Sequence, residues 1–257
     1  MILVTPKSSA HWYTRDGKPM HTVIGKNGLE RATTLRDARR SDLLLLPSVT
    51  SVLGVLARPG LEAWKQEQAI LAALTLPRLG QEGDDDFARR VVIDMQQQVE
   101  KAASFGTAVH AAIERVNADG HTRSVMPDVL PWMNHYASWR TANLVRTIRS
   151  EEVLVAEGYA GRFDLLAEHQ QHGVVLIDFK TQNVKHGKAK TYETWGYQLA
   201  AYRHALSINC HCLSVIIDSC TPATPVEYLW EENELADGLE IFMAALAIWQ
   251  KQRGYVP

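Results

Sequence analysis

The chain has 257 residues, 46% of them apolar, enough to bury a large core in one domain or two small ones. Lys and Arg (27) nearly balance Asp and Glu (29), so a bulk basic field is excluded, and any nucleic-acid contact has to come from a local basic surface. No apolar run reaches membrane-spanning length, and Lys7, His11 and Arg15 interrupt the N-terminal segment, so the expectation is a soluble, cytoplasmic protein with no signal peptide and no membrane partner.

Residues 1–50 hold Trp12, Tyr13 and a turn at Asp16-Gly17-Lys18-Pro19, a pattern that predicts a short hairpin. Arg31, Arg36, Arg39 and Arg40 form a basic, helix-like stretch. Such a group is a solvated helix face or, in a nucleic-acid enzyme, a set of phosphate contacts. In Pro47-Ser48-Val49-Thr50-Ser51, Ser48 or Ser51 can N-cap an apolar helix from Val52 to Leu56. Residues 61–80 read as helix, and the acidic run Gln81–Asp86 reads as a solvated loop or helix cap, since it lacks a structured ligand spacing. The loop at 77–86 is a soft boundary, and the chain is read as a single domain.

Residues 87–116 carry alanines and aliphatics at helical spacing and place His110 and Glu114 on one face. Taken alone, a histidine on an apolar helix is a core or surface residue with a satisfied partner. A second helix runs from Leu130 to Leu144, with Trp132, Tyr136 and Trp139 forming a stripe that reads as core. Glu151 or Glu152 opens the next strand.

The segment Gly158–Lys180 reads as two extended stretches joined by a polar turn. The first, Arg162–Leu166, brings Asp164 into an apolar strand, and the second, Val174–Lys180, ends in Asp178-Phe179-Lys180. Alternation puts Asp178 and Lys180 on one face, so two carboxylates and an ammonium converge at the end of a hydrophobic hairpin. For the bare tripeptide, a buried Lys180–Asp salt bridge with the other Asp capping a turn accounts for this. A hard divalent cation between Asp164 and Asp178 is the other solution. Farther on, Gln182–Thr194 is rich in Lys and His, and Trp195–Ala205 is a helix with Gln198 and Tyr202 on one face. Residues 210–218 and 225–230 form two strands in a hairpin across Pro222, and a helix from Glu231 to Gln252 covers the sheet.

Four of these stretches, in order and with sensible spacing from about Ser104 to Tyr202, resemble one family: Gly106-Thr107-x-x-His110-x-x-Ile113-Glu114, Gly158-x-x-Gly161-x-x-Asp164, Asp178-Phe179-Lys180-Thr181 and Gln198-x-x-x-Tyr202. It is the PD-(D/E)XK nuclease superfamily, and within it the RecB-like, CRISPR-associated-exonuclease-like branch with its phage and mitochondrial-genome-maintenance exonucleases. The resemblance implies that His110, Asp164, Asp178 and the backbone carbonyl of Phe179 hold Mg²⁺ or Mn²⁺, with manganese competence from the imidazole. It gives Lys180 the attacking water and the charge on the phosphate, and gives Gln198 and Tyr202 the substrate phosphates and the support of that lysine. Glu152 resembles the acidic residue that opens this strand in relatives. The Pro-Ser-Val-Thr-Ser segment matches the leading segment of the phage and mitochondrial enzymes, which points Ser48 at nucleic acid. Lys185, Lys188 and Lys190, and Arg36, Arg39 and Arg40, become candidate contacts to the phosphate backbone.

Some relatives hold an iron–sulfur cluster on one early and three late cysteines; here Cys210, Cys212 and Cys220 are all late, so no cluster is expected and buried free thiols are the reading. The fold class implied is α/β, a restriction-endonuclease-like mixed central sheet flanked by helices, with a helical N-terminal half. Residues 1–100 would form the substrate entrance and 101–257 the catalytic core. The function implied is metal-dependent exonucleolytic hydrolysis of DNA with single-stranded character, in recombination, repair or phage DNA processing, with a possible recombination partner protein. The alternatives are a structure-specific endonuclease on the same fold and a non-catalytic DNA-binding scaffold.

Overall fold

The structure is a computed structural model that describes residues 11–184 and 188–257. They fall into two compact units, one of Ala57–Ala108 and the other of residues 11–56 with Val109–Pro257. The larger unit begins with β1 (Trp12–Tyr13), β2 (Thr22–Ile24), β3 (Glu30–Ala32), α1 (Leu35–Ala38), β4 (Leu46–Pro47) and α2 (Val49–Val52), followed by a 3-10 turn at Leu53–Val55. The smaller unit holds α3 (Pro59–Thr75) and most of α4 (Asp84–Asp119). Proline at the first position favours the start of α3, and Pro77 ends it one residue beyond its C-cap Leu76. The acidic run joins the two helices: Arg90 pairs with Glu82 at 2.8 Å, Arg78 pairs with Asp84 at 2.7 Å, and Asp84–Asp86 form the first turn of α4, where the helix dipole favours them.

The rest of the larger unit runs α5 (Leu130–Asn143), β5 (Leu144–Ser150), β6 (Val153–Ala156), β7 (Tyr159–Arg162), β8 (Leu165–His169), β9 (Gly173–Gln182), α6 (Glu193–Leu206), β10 (His211–Asp218), β11 (Val226–Trp230) and α7 (Glu232–Arg253). Five strands make a mixed sheet in the order β11-β10-β9-β8-β5, with β9 and β10 parallel and the other pairs antiparallel. The parallel pair is joined through α6, as a parallel connection requires. Central β9 is buried from Val175 to Phe179, so its near-continuous apolar run is that of a strand covered on both faces. Helices α6 and α7 pack together, and Leu199, Ala201, Leu235, Phe242 and Ala245 have no exposed surface. Tyr136 and Trp139 are buried and stacked at 5.6 Å, so these two aromatics of the α5 stripe are core, while Trp132 is half-buried and donates its Nε1–H to the Asp218 carbonyl at 2.6 Å.

One local expectation is met and two change. The turn at Asp16–Pro19 forms and β1 folds back across it, with Tyr13 bridged antiparallel to Pro19 and the Met20 N–H donating to the Trp12 carbonyl at 2.8 Å; β1 also pairs with β4, and β2–β3 is a second hairpin. The basic stretch is helical only over Leu35–Ala38, because Thr34 caps a single turn with Asp37 and Arg31 belongs to β3. Asp164 is not inside a strand: it lies between β7 and β8. No helix among the described residues is long and apolar enough to cross a membrane.

Candidate active site

The site is made where a hairpin leaves the main sheet. β5 pairs with β8 in that sheet, and the chain between them pairs as β6 with β7 in a sheet of its own. Both strands therefore break at the same level. Backbone bonds span the break, Glu151 N–H to Asp164 O at 3.0 Å and Phe163 N–H to Glu152 O at 3.2 Å, while the buried Phe163 ring anchors it in the core. Freed from the pleat, Asp164 is one step beyond the Leu165–Ile177 pair, beside Asp178. Its Oδ2 accepts the Phe179 N–H at 2.7 Å.

The two glycines of the motif serve this hairpin. Gly158, at φ 82°, occupies the turn between β6 and β7, in a region that favours glycine. Gly161 lies against the Tyr202 ring.

His110, from the last turns of α4, puts Nδ1 3.6 Å from Asp164 Oδ1. Ligand atoms of His110, Glu151 and Asp164 all lie within 4.8 Å of one another. On the other side, Lys180 Nζ is 2.6 Å from Asp178 Oδ2. Gln198 joins that pair from α6: its Oε1 accepts from Lys180 Nζ at 3.0 Å and its Nε2 donates to Asp178 Oδ1 at 3.0 Å. Nε2 also lies 3.2 Å from the Tyr202 hydroxyl one helical turn on. Thus His110, Asp164, Asp178, Lys180, Gln198 and Tyr202, chosen over 93 positions of sequence, occupy one connected cluster.

The electrostatics are those of too many carboxylates in too little water. Burial pushes the Asp178 carboxyl up, and the Lys180 ammonium only partly offsets it. Burial also pulls Asp164 upward, but His110, Lys180 and the Phe179 N–H outweigh it and hold that group below the ordinary range. Burial works against the charged form of His110, yet Asp164 and Asp178 raise it. Glu151 is pushed up to about 7 by burial and then by the Asp164 charge. Asp178 Oδ2 is buried and accepts no well-aligned hydrogen bond, with the Lys180 ammonium as its ion-pair partner. A donor set of carboxylate oxygens and one imidazole, half-buried or buried, fits a divalent cation such as Mg²⁺ or Mn²⁺.

Other candidates lie elsewhere or are engaged. Lys188 and Lys190 are exposed on the segment after β9, and Lys185 lies outside the described residues. Arg36 is exposed; Arg39 contacts the Arg253 carbonyl, and Arg40 pairs with Asp42 at 2.7 Å. Ser48 is buried, with its hydroxyl accepting the Ser51 N–H as the cap of α2. Cys210 and Cys212 are buried free thiols, and Cys220 is exposed. Of the two glutamates at the strand start, Glu151 faces the site, while Glu152 pairs with Arg149 at 2.7 Å. This corrects the resemblance, which pointed to Glu152: the break after Ser150 brings Glu151 to the site in its place. Arg162, which pairs with Glu151 at 2.6 Å, carried the weaker signal of a charge flanking the glycine motif.

Residues 86–211 match the family model of the PD-(D/E)XK nuclease superfamily, a span that includes every side chain of the cluster. The chain carries a PD-(D/E)XK nuclease domain. Nucleases of this superfamily use divalent metals and act on DNA, and the domain's His110–Glu151–Asp164 group is placed to take such an ion. Among solved structures, the nuclease domain is similar to an alkaline exonuclease from Laribacter hongkongensis, at 14% identity and a TM-score of 0.30, over 75% of this chain and 98% of that one. It is also similar to the crystal structure of SSO0001, at 17% identity and a TM-score of 0.28, over 55% of this chain and 72% of that one. No curated protein matches the chain.

Proposed function

We propose that this chain is a divalent-metal-dependent deoxyribonuclease that hydrolyses phosphodiester bonds at DNA ends with single-stranded character and little sequence specificity, in recombination, repair or phage DNA processing. The observation that carries the reading is the convergence of His110, Asp164, Asp178 and Lys180 from α4, the β7–β8 break and β9, with Gln198 tying the last two together.

His110, Asp164 and Asp178 hold the ion, joined by the Phe179 carbonyl. A residue in a strand exchanges its N–H and C=O on one side. Since the Phe179 N–H is directed at Asp164, its carbonyl faces the same way. When bound, the metal polarises the scissile phosphate and acidifies a water. Lys180, held by Asp178 and Gln198, presents its ammonium to the negative charge that builds on the phosphate oxygens and orients the attacking water. Gln198 fixes the lysine, and the buried Tyr202 fixes Gln198.

Features around the centre support the substrate assignment. Lys188 and Lys190 follow the strand that bears Lys180, where a phosphate backbone would lie. Tyr192 is 39% exposed and packs edge-on to Trp195 at 5.1 Å, and the Trp195 ring centroid is 5.8 Å from Lys180 Nζ. An aromatic surface beside the lysine suits an unpaired base, which stacks without regard to sequence.

The test is cleavage of end-labelled linear single- and double-stranded DNA, and of covalently closed circles, with Mg²⁺ or Mn²⁺. Linear substrates are expected to be degraded from their ends and closed circles left intact. Nicked or linearised circles would make the chain an endonuclease, and an absence of cleavage across all substrates would make it a scaffold.

A further inference from the structure

Glu151 is held in a backbone conformation that its own side chain disfavours. Its φ is 55°, in the left-handed region, where a residue other than glycine carries a conformational cost. The break between β5 and β6 needs a residue in that conformation, and glycine would supply it without the cost. A glutamate there directs a carboxylate from the sheet junction toward His110 and Asp164. The side chain is 14% exposed, so the carboxylate is also taken largely out of water.

Arg162 holds it from the other side. Its Nε lies 2.6 Å from Glu151 Oε2 and its Nη2 lies 3.3 Å from Glu114 Oε2, one helical turn beyond His110. The carboxylates of Glu114, Glu151, Asp164 and Asp178 thus stand around the fixed cations Arg162 and Lys180 and the His110 imidazole, a setting rich in oxygen donors.

We infer that Glu151 is a further metal-facing side chain of this centre, aimed by its left-handed backbone and kept in place by Arg162. The inference rests on the metal-dependent reading above. The ion it serves is a hard divalent cation, for which an added carboxylate oxygen raises affinity. A purely structural Glu151–Arg162 pair would also explain the 2.6 Å contact, and the two roles separate on metal affinity rather than on activity.

The experiment titrates Mn²⁺ into the whole, DNA-free protein by calorimetry, comparing wild type, Glu151→Gln, Glu151→Gly and Asp178→Ala, with thermal midpoints recorded with and without metal. Both Glu151 variants are expected to bind Mn²⁺ at least tenfold more weakly and to lose most of the metal-induced rise in midpoint. Glu151→Gly, relieved of the strained backbone, keeps the protein folded for the comparison. If Asp178→Ala weakens binding while both Glu151 variants bind within twofold of wild type, the role of Glu151 is overturned and the metal centre stands. If wild type itself binds no Mn²⁺, the metal-dependent reading falls, and this inference with it.

Discussion

Gly161 lies so close to Tyr202 that a Cβ in its place would sit 2.5 Å from the ring Cε1. The glycine on β7 thereby lets the buried tyrosine of α6 press onto the strand, and Tyr202 in turn contacts Gln198 Nε2 at 3.2 Å. Gly161→Ala must displace a ring that has no room to move, at about 1–3 kcal/mol for an overpacked core. We expect an unfolding free energy, measured by urea titration, lowered by that amount together with a loss of cleavage. Gly54→Ala, with nothing within 4 Å of its Cβ, is the control and should leave both unchanged within about 0.5 kcal/mol.

Gln198 makes one hydrogen bond to each member of the Asp178–Lys180 pair. A hydrogen bond to an ionised group contributes about 1.5–3 kcal/mol, which at 1.36 kcal/mol per decade is a factor of about 10–150 in rate. Gln198→Ala is therefore expected to lower kcat by that factor, and Mn²⁺ affinity, measured calorimetrically, is expected to hold within a few-fold. A variant that loses metal as severely as rate would make Gln198 part of the metal cage instead.

Asp178 and Lys180 share an ion pair but divide the work. Asp178→Ala is expected to abolish cleavage and weaken metal binding at least tenfold. Lys180→Ala is expected to abolish cleavage and leave metal affinity equal or stronger, since it removes a cation 2.6 Å from Asp178 Oδ2. His110→Ala should shift the Mn²⁺-over-Mg²⁺ preference, because the imidazole is the softer donor. Metal titrations alongside single-turnover cleavage check all three.

Outside the site, Asp37 links the cap of α1 to Arg31 at 2.7 Å and accepts from Thr34. The Arg31 guanidinium and the Thr34 hydroxyl and N–H hold its carboxyl well below the usual carboxylate range. A depressed folded-state pKa means stability that is present above the unfolded value of about 4 and is lost as pH falls below it. Asp37→Asn should thus be less stable than wild type at pH 7, by about 1.5–3 kcal/mol for bonds to an ionised group. The difference should shrink in urea titrations taken at successively lower pH. A gap that is constant with pH would mean the ion pair contributes nothing.

The cluster was legible because each part obeys a local rule. Asp178 and Lys180 share a face by strand alternation, Gln198 and Tyr202 by one helical turn, and the spacing of β9, α6 and β10 is that of a parallel crossover. The failures are equally physical. The apolar residues Phe163, Leu165 and Leu166 around Asp164 predict a continuous strand and hide a break, which is stabilised by bonds to Glu151 and Glu152, a dozen residues away. The same break reverses which of those glutamates faces inward. The hairpin that β1 makes across the Asp16–Pro19 turn was legible, but its second partner, β4, lies more than 30 residues on, and nothing local to the turn signals it.

If the proposed function holds, the aromatic surface near Lys180 serves single-strand binding and not catalysis. Tyr192, at the N-cap of α6, is the exposed member, and Trp195 also packs against the core. Stacking on one base contributes about 1–3 kcal/mol, so Tyr192→Ala should weaken single-stranded oligonucleotide binding about 5–150-fold. Fluorescence anisotropy in an Asp178→Ala background removes cleavage from the measurement. Blunt duplex, whose bases are already stacked, should bind the Tyr192 variant as tightly as the parent. Trp195→Phe, which keeps a ring, should retain most of the single-strand affinity and the thermal midpoint, whereas Trp195→Ala should lose both. Equal weakening for single strand and duplex would assign Tyr192 to the backbone path instead, and no weakening for either would remove it from the DNA surface.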